Sequence, residues 1–240
     1  MLIKNFDEIT STNTYALENF EELDDFCAIS ANTQTQGRGR FDRTWISNET
    51  ENIYLSFVLK PQNTKFVTNL TQYLSVVIAN VIEKYGVSTQ IKWPNDVLIS
   101  GKKVCGILCE SKLKNNKIQG IVLGTGINLN MTQETISAIN RPATSLNLEL
   151  GKPINKPEFL KELIFEFKKN YNNAIEKGFL SFEKDYLSRV NFLGKKILIQ
   201  QRDGAPKEEY TALNIDKNGN LVVLTKENTK KTILSGDLLL

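Results

Sequence analysis

Two arginines set two apart, Arg38 and Arg40, alternate with Gly37 and Gly39, and Arg43 and Trp45 follow with the same spacing. In an extended segment, residues two apart share a side, so Arg38 and Arg40 would present two guanidinium forks together. The intervening glycines leave no side chain in the way and let a ligand approach the backbone closely. Such a loop suits a phosphate or carboxylate that is gripped and then enclosed. Taken alone, Gly-Arg-Gly-Arg fits a solvated basic loop or an RNA-binding segment equally well. Further down the chain, Lys92-Trp-Pro-Asn-Asp96 interrupts an otherwise apolar strand. Pro94 has no N–H for a sheet ladder, which places Asn95 and Asp96 in a turn. A local inconsistency of this kind often marks a functional site, although a plain polar turn has the same composition.

Three other groups of residues could take part. Ser11-Thr12-Asn13 precedes an apolar-periodic run and reads as a helix N-cap; the same helix start would offer free backbone N–H groups to a ligand. Lys103 sits at the mouth of a strand beside Gly106, where position alone makes it a surface lysine. Gly124 and Gly126, in an apolar strand that ends at Asn128, point to close approach by a ligand or another backbone.

The elements that must position these residues are legible in outline. Strands are expected at 2–6, 26–31, 53–59, 90–99 (broken at Pro94), 104–110 and 118–128, with Asn115-Asn116 as a hairpin turn. Leu70 to Ile82 and Phe159 to Ile175 carry apolar residues at three-to-four spacing and predict amphipathic helices ending near Gly86 and Gly178. Residues 131–150 read as polar and irregular. Beyond Gly194 the chain changes to short strands with a turn at Asp216–Asn220, as in a small barrel packed on a larger domain.

Composition excludes much. The 240 residues are 40% hydrophobic and 24% charged, ordinary for a globular protein, and a net charge of +3 makes no global field for nucleic acid. There is no histidine, and the cysteines, Cys27, Cys105 and Cys109, form no C-x-x-C pair. A Cys/His zinc site and a histidine base are therefore excluded. No Walker A motif occurs. Neither a signal peptide nor a membrane-spanning run is evident, so a cytoplasmic protein is expected.

In their order along the chain, Ser11-Thr-Asn13, Gln34…Gly-Arg-Gly-Arg…Arg43-Thr-Trp45, Lys92-Trp-Pro-Asn-Asp96, Lys103-Val-Cys-Gly106 and Gly126-Ile-Asn128 resemble the biotin–protein ligases over essentially the whole length. The tail, Ser235-Gly-Asp-Leu-Leu-Leu240, resembles the SH3-like barrel that closes that family. The resemblance implies an α+β fold: a mixed-sheet biotin/ATP-binding catalytic domain over residues 1–191 and an SH3-like β-barrel over 192–240. It implies activation of biotin by ATP with Mg2+ to biotinoyl-5′-AMP, then transfer to a lysine of a biotin carboxyl carrier protein domain. By the same resemblance, Ser11, Thr12, Asn13, Gln34, Arg38, Gly39, Arg40, Lys103 and Gly106 would bind biotin. Arg38, Arg40, Trp45, Asn95, Asp96, Lys103 and Asn128 would serve ATP, with Lys103, Arg38 and Arg40 catalytic. Mg2+ would be held mainly by the nucleotide's phosphates. No DNA-binding domain is expected ahead of Ser11, hence no repressor activity; no membrane partner is expected, and a homodimer is left open. One departure stands out: Asp42 occupies the position of a second loop glycine, where it would tolerate a left-handed backbone better than most residues. Rival readings are a lipoate or octanoate ligase or transferase, which shares the fold, and a non-enzymatic RNA-binding module, which would need a continuous basic, aromatic face.

Overall fold

Ile53–Leu59 is apolar at all but one position and buried at every one, the signature of a strand covered on both faces. This strand, β3, stands third in a seven-stranded sheet. In the computed structural model of the chain, which describes residues 2–201 and 204–239 (Asp42 by its backbone alone), the elements run in the following order. First come β1 (Ile3–Ile9), α1 (Thr12–Glu18), β2 (Cys27–Gln34), β3 (Ile53–Leu59) and α2 (Leu70–Glu83). The hairpins β4 (Gln90–Lys92) with β5 (Asp96–Ile99), and β6 (Lys102–Lys114) with β7 (Lys117–Ile127), follow. Then come the helices α3 (Gln133–Ser137), α4 (Leu146–Leu150), α5 (Lys156–Lys177) and α6 (Glu183–Leu187). The chain finishes with β8 (Lys196–Gln200), β9 (Lys207–Ile215), β10 (Leu221–Leu224), β11 (Lys230–Ile233) and β12 (Asp237–Leu239).

The first sheet has the order β1-β2-β3-β7-β6-β5-β4. β1 and β2 are parallel, joined across α1, and the other pairings are antiparallel. A parallel pair needs a crossover, and here α1 is that crossover. It crosses the face of β3 and β7, which carries its N-terminus to the middle of the sheet. On the opposite face lie α2 and α5. Tyr73 Oη donates to the Phe167 carbonyl at 2.6 Å, and the Phe57 and Phe167 rings stack at 4.4 Å. Fully burying one such aromatic contributes about 1.5–3 kcal/mol. α5 starts at an Asn155 cap that accepts from Glu158 N and ends at Gly178, φ 63°.

Two expectations change. Residues 131–150 are not irregular but hold the short helices α3 and α4. They are fixed by side chain to backbone bonds with no hydrophobic period to announce them: Asn52 Oδ1 accepts from Leu129 N and Asn130 N, and Ser145 Oγ accepts from Met131 N. The C-terminal strands form an antiparallel sheet of order β11-β10-β9-β8-β12, in which the described pairings leave β11 and β12 as edges, so no closed barrel forms. That sheet shares its hydrophobic core with the first. Three buried donors of the larger sheet's side also reach into its Asp216–Asn220 turn: Trp93 Nε1 and Gln72 Nε2 donate to Gly219 O at 3.0 and 2.7 Å, and Asn69 Nδ2 donates to Asn218 O at 2.8 Å.

Candidate functional site

The start of α1 meets the sheet at the one serine of the β3 run, Ser56. Ser56 Oγ is fully buried, 2.7 Å from Thr12 Oγ1 and 2.6 Å from Asn13 Oδ1. Ser11 caps α1, accepting from Thr14 N. Gln34, the last residue of β2, accepts from Thr12 N at 2.9 Å through Oε1 and donates to Ser47 Oγ at 2.9 Å through Nε2. Asn13 Nδ2 donates to Glu110 Oε2 at 2.8 Å and to Leu108 O at 3.3 Å. Apart from the bond to the Glu110 carboxylate these are neutral, directional bonds in a buried setting, where a satisfied network fixes one arrangement.

Of the cations, Arg38 stands beside Thr14 at this end, while Lys92, Lys103, Arg40 and Arg43 group around Asp96 and Asp237. Asp96 is the first residue of β5 rather than a turn residue, because the chain re-enters the sheet immediately after Asn95. Its buried carboxylate meets Lys103 at 2.6 Å and Lys92 at 3.1 Å. Burial alone would raise the pKa of Asp96, but Lys103 and then Lys92 outweigh it and hold the carboxyl below its usual value. Lys103 Nζ also lies 5.3 Å from the Trp45 ring, within cation–π range. Arg40 donates to Asn95 Oδ1 at 3.2 Å, Gly236 O at 3.0 Å and Ser235 Oγ at 3.2 Å, and lies 3.8 Å from Asp237. Arg43 is paired with the same Asp237. Arg38 pairs with Glu110 at 2.5 Å.

Around one cavity of about 60 Å³ the fold brings together Ser11, Thr12, Asn13, Gln34, Arg38, Gly39, Arg40, Trp45, Asn95, Lys103 and Gly106, all singled out in the sequence. Two others lie elsewhere. Asp96 sits behind Lys103, and Asn128 uses its amide on Thr144 O at 2.9 Å, bracing the 143–145 segment that pairs beside Lys103. At Gly124 and Gly126 the close neighbours are side chains of this chain, not another backbone. A Cβ on Gly124 would stand 2.0 Å from Asn13 Oδ1, and one on Gly126 would stand 2.3 Å from Trp45 Nε1. The left-handed residue of the arginine loop is Phe41, φ 56°, one position before Asp42; the Asp42 side chain lies outside the described residues. Ser56, Glu110 and Asp237 were not among the sequence candidates. Ser56 carried a signal, a lone serine in an apolar strand, whereas Glu110 and Asp237 gain their places only through strand pairing.

The sheet thus carries one cavity lined by hydrogen-bonding amides and hydroxyls together with the cations Arg38, Arg40 and Lys103. Comparison with known proteins narrows this. The profile of the biotin/lipoate A/B protein ligase family matches residues 6–128. The chain is 32% identical to the bifunctional ligase/repressor BirA of Bacillus subtilis, covering 88% of this chain and 65% of that protein, so it spans just under two thirds of that relative. It is 30% identical to the biotin–[acetyl-CoA-carboxylase] ligase of Paracoccus denitrificans, over 89% of this chain and 90% of the relative. The solved structure of the Aquifex aeolicus biotin protein ligase in complex with biotin and ATP superposes with a TM-score of 0.83 at 29% identity, covering 99% of this chain and 97% of that one. The chain belongs to the biotin/lipoate A/B protein ligase family.

Proposed function

We propose that this chain is a biotin–protein ligase. Its first reaction joins biotin to ATP: a biotin carboxylate oxygen bonds to the α-phosphorus, the bond from that phosphorus to the bridging oxygen breaks, and pyrophosphate leaves. In the second, an acceptor lysine amine attacks the acyl carbon of biotinoyl-5′-AMP, AMP departs and the amine loses its proton. The observation that carries this reading is one cavity lined together by the hydrogen-bonding Ser11–Asn13 and Gln34 and by the cations Arg38, Arg40 and Lys103. The names of the relatives support it.

In this reading Ser11, Thr12, Asn13 and Gln34 hold the ureido head, whose N–H and C=O groups need matched acceptors and donors. Lys103 contacts the biotin carboxylate and the α-phosphate, where two negative groups must be brought together. Cations placed in advance lower that barrier without acid–base chemistry, which suits a chain with no histidine. Arg38 and Arg40 close over the adenylate, and Trp45 and Asn95 face the nucleotide. Asp96 orients Lys103, and Asn128 acts through the 143–145 segment. Among the described residues no cluster of three His, Cys, Asp or Glu could hold a metal, and both carboxylates beside the cavity are already engaged by cations. In this reading Mg2+ arrives mainly on the nucleotide's phosphates, where it offsets their charge. The acceptor is a biotin carboxyl carrier protein domain in the cytoplasm, and residues 1–191 and 192–240 act as catalytic and C-terminal domains.

Biotin-dependent exchange of labelled pyrophosphate into ATP, run beside lipoate and octanoate, tests the reading. Exchange with biotin alone is the expected result. Exchange only with lipoate or octanoate would move the chain to the other branch of its family, and exchange with none would remove the activity.

A further inference from the structure

Glu110 is a carboxylate beside a cavity built for anions, yet it does not line that cavity. It stands behind two residues that do. Its Oε1 takes Arg38 Nη2 at 2.5 Å and its Oε2 takes Asn13 Nδ2 at 2.8 Å. One carboxylate thus ties the start of α1 to the arginine loop, across β6. We propose that Glu110 is a positioning residue that sets the Asn13 amide and the Arg38 guanidinium together, so that occupying the head-group end of the cavity and closing the arginine loop over it become one event. The inference rests on the biotin ligase reading and goes beyond it to a residue which that reading leaves unused.

The bond inventory decides between positioning and competition. A competitor would use up the groups a ligand needs. Arg38 has five N–H donors; Glu110 takes one through Nη2 and Thr14 Oγ1 takes one through Nη1 at 3.3 Å, which leaves three. Asn13 spends its two N–H donors on Glu110 and Leu108 O, so its Oδ1 is the atom turned toward Ser56 and Gly124. Had the amide been flipped, its N–H groups would face the Ser56 hydroxyl, and the Glu110 carboxylate would face an oxygen, two acceptors in contact. Glu110 therefore fixes which way the amide points, which makes Asn13 an acceptor for an N–H donor such as a ureido nitrogen. Only a carboxylate serves both partners at once, since a glutamine offers one oxygen and would turn its own N–H2 toward one of two donors. The pair is partly open to solvent, with Arg38 42% and Glu110 21% exposed, so its Coulombic value is small and its orienting role is the larger one.

Glu110→Gln tests this, with biotin binding measured by calorimetry on the whole chain and the adenylate off-rate measured after single turnover. The expected result is weaker biotin binding by about tenfold, the size of one lost hydrogen bond to a charged group, with a similar rise in biotin KM. The kcat for pyrophosphate exchange at saturating biotin and the KM for ATP should stay within about twofold. Arg38→Gln in the same background should cost less than the two single changes multiplied, because partners in one network are not additive. Unchanged or tighter biotin binding in Glu110→Gln, or a strictly multiplicative double variant, would overturn the proposal, and a lower melting temperature with an unaltered Kd would reduce Glu110 to a structural role and overturn it equally. Wild-type chain that binds no biotin would instead sink the ligase reading, and the proposal with it.

Discussion

The two ends of the cavity solve the same problem by different physics. At the Ser11–Asn13 end, most polar atoms meet a neutral partner fixed by secondary structure (a helix cap, a strand hydroxyl, the last residue of β2), with Glu110 behind Asn13 as the charged exception. At the Lys103 end, each cation is matched to a carboxylate, Asp96 serving Lys92 and Lys103, and Asp237 serving Arg40 and Arg43. Neutral bonds are short-ranged and directional, which suits a head group recognised by shape. Ion pairs tolerate displacement and can trade one anion for another, which suits phosphates that arrive and leave. The end that recognises is built to stay still, and the end that reacts is built to exchange.

Substitutions on the two sides should therefore fail differently. The largest effect is expected for Lys103→Ala, which removes a preplaced cation: pyrophosphate exchange should fall about 10²–10³-fold while biotin binding changes far less. Equal losses in both would erase the contrast. Asp96→Asn comes next and should act on stability. The folded-state pKa of Asp96 lies below its usual value, so its contribution is complete above the ordinary carboxylate value of about 3.9 and is lost as pH falls through the depressed pKa. Chemical denaturation should show a deficit of about 1–3 kcal/mol at pH 7 that shrinks toward pH 3; a deficit that grows on acidification would mean that the lysines do not control this carboxylate. Ser56→Ala should weaken biotin binding by about 1 kcal/mol, close to fivefold, with kcat untouched. A kcat effect would show that the neutral end takes part in the chemistry. The smallest change is expected for Asp237→Asn, which loosens two arginines by at most about 1 kcal/mol. It should shorten adenylate retention after single turnover without moving the biotin Kd.

Much of this site could be read from the chain before it folded. Arg38, Arg40 and the Ser11–Asn13 cap announce themselves by residue type and spacing, because local geometry alone suggests a glycine-spaced arginine pair or a capped helix, whereas Lys103 read locally as a surface lysine and entered only through the family resemblance. Glu110 was hidden because an acidic residue in the second half of a long strand looks like any solvated position; only the antiparallel register of β6 with β7 and the crossover of α1 put it beside Asn13. Asp237 was hidden for a stronger reason, lying nearly two hundred residues from the arginines it holds. The long helices were legible by period. α3 and α4 were not, since single asparagine and serine side chains fix them where no pattern exists. The barrel expectation read the strands correctly and missed how they end, because strand content does not determine whether the last pairing closes.

The Trp93 indole bond to Gly219 bears on how the chain is made. A ribosome delivers β3, α2 and the Lys92–Asp96 hairpin long before residue 219, yet buried Trp93 and Gln72 find their acceptor in the 218–219 turn, as does Asn69 for the donor it also shares with Gln72 Oε1. Until that turn emerges, the nascent sheet carries buried donors without acceptors, a state that favours water entry and chaperone capture. Stalled chains of increasing length should gain protease resistance abruptly once the 218–219 turn clears the exit tunnel, and gradual gain instead would show that the sheet completes without it. A segment made in the first half of synthesis is then finished only near its end.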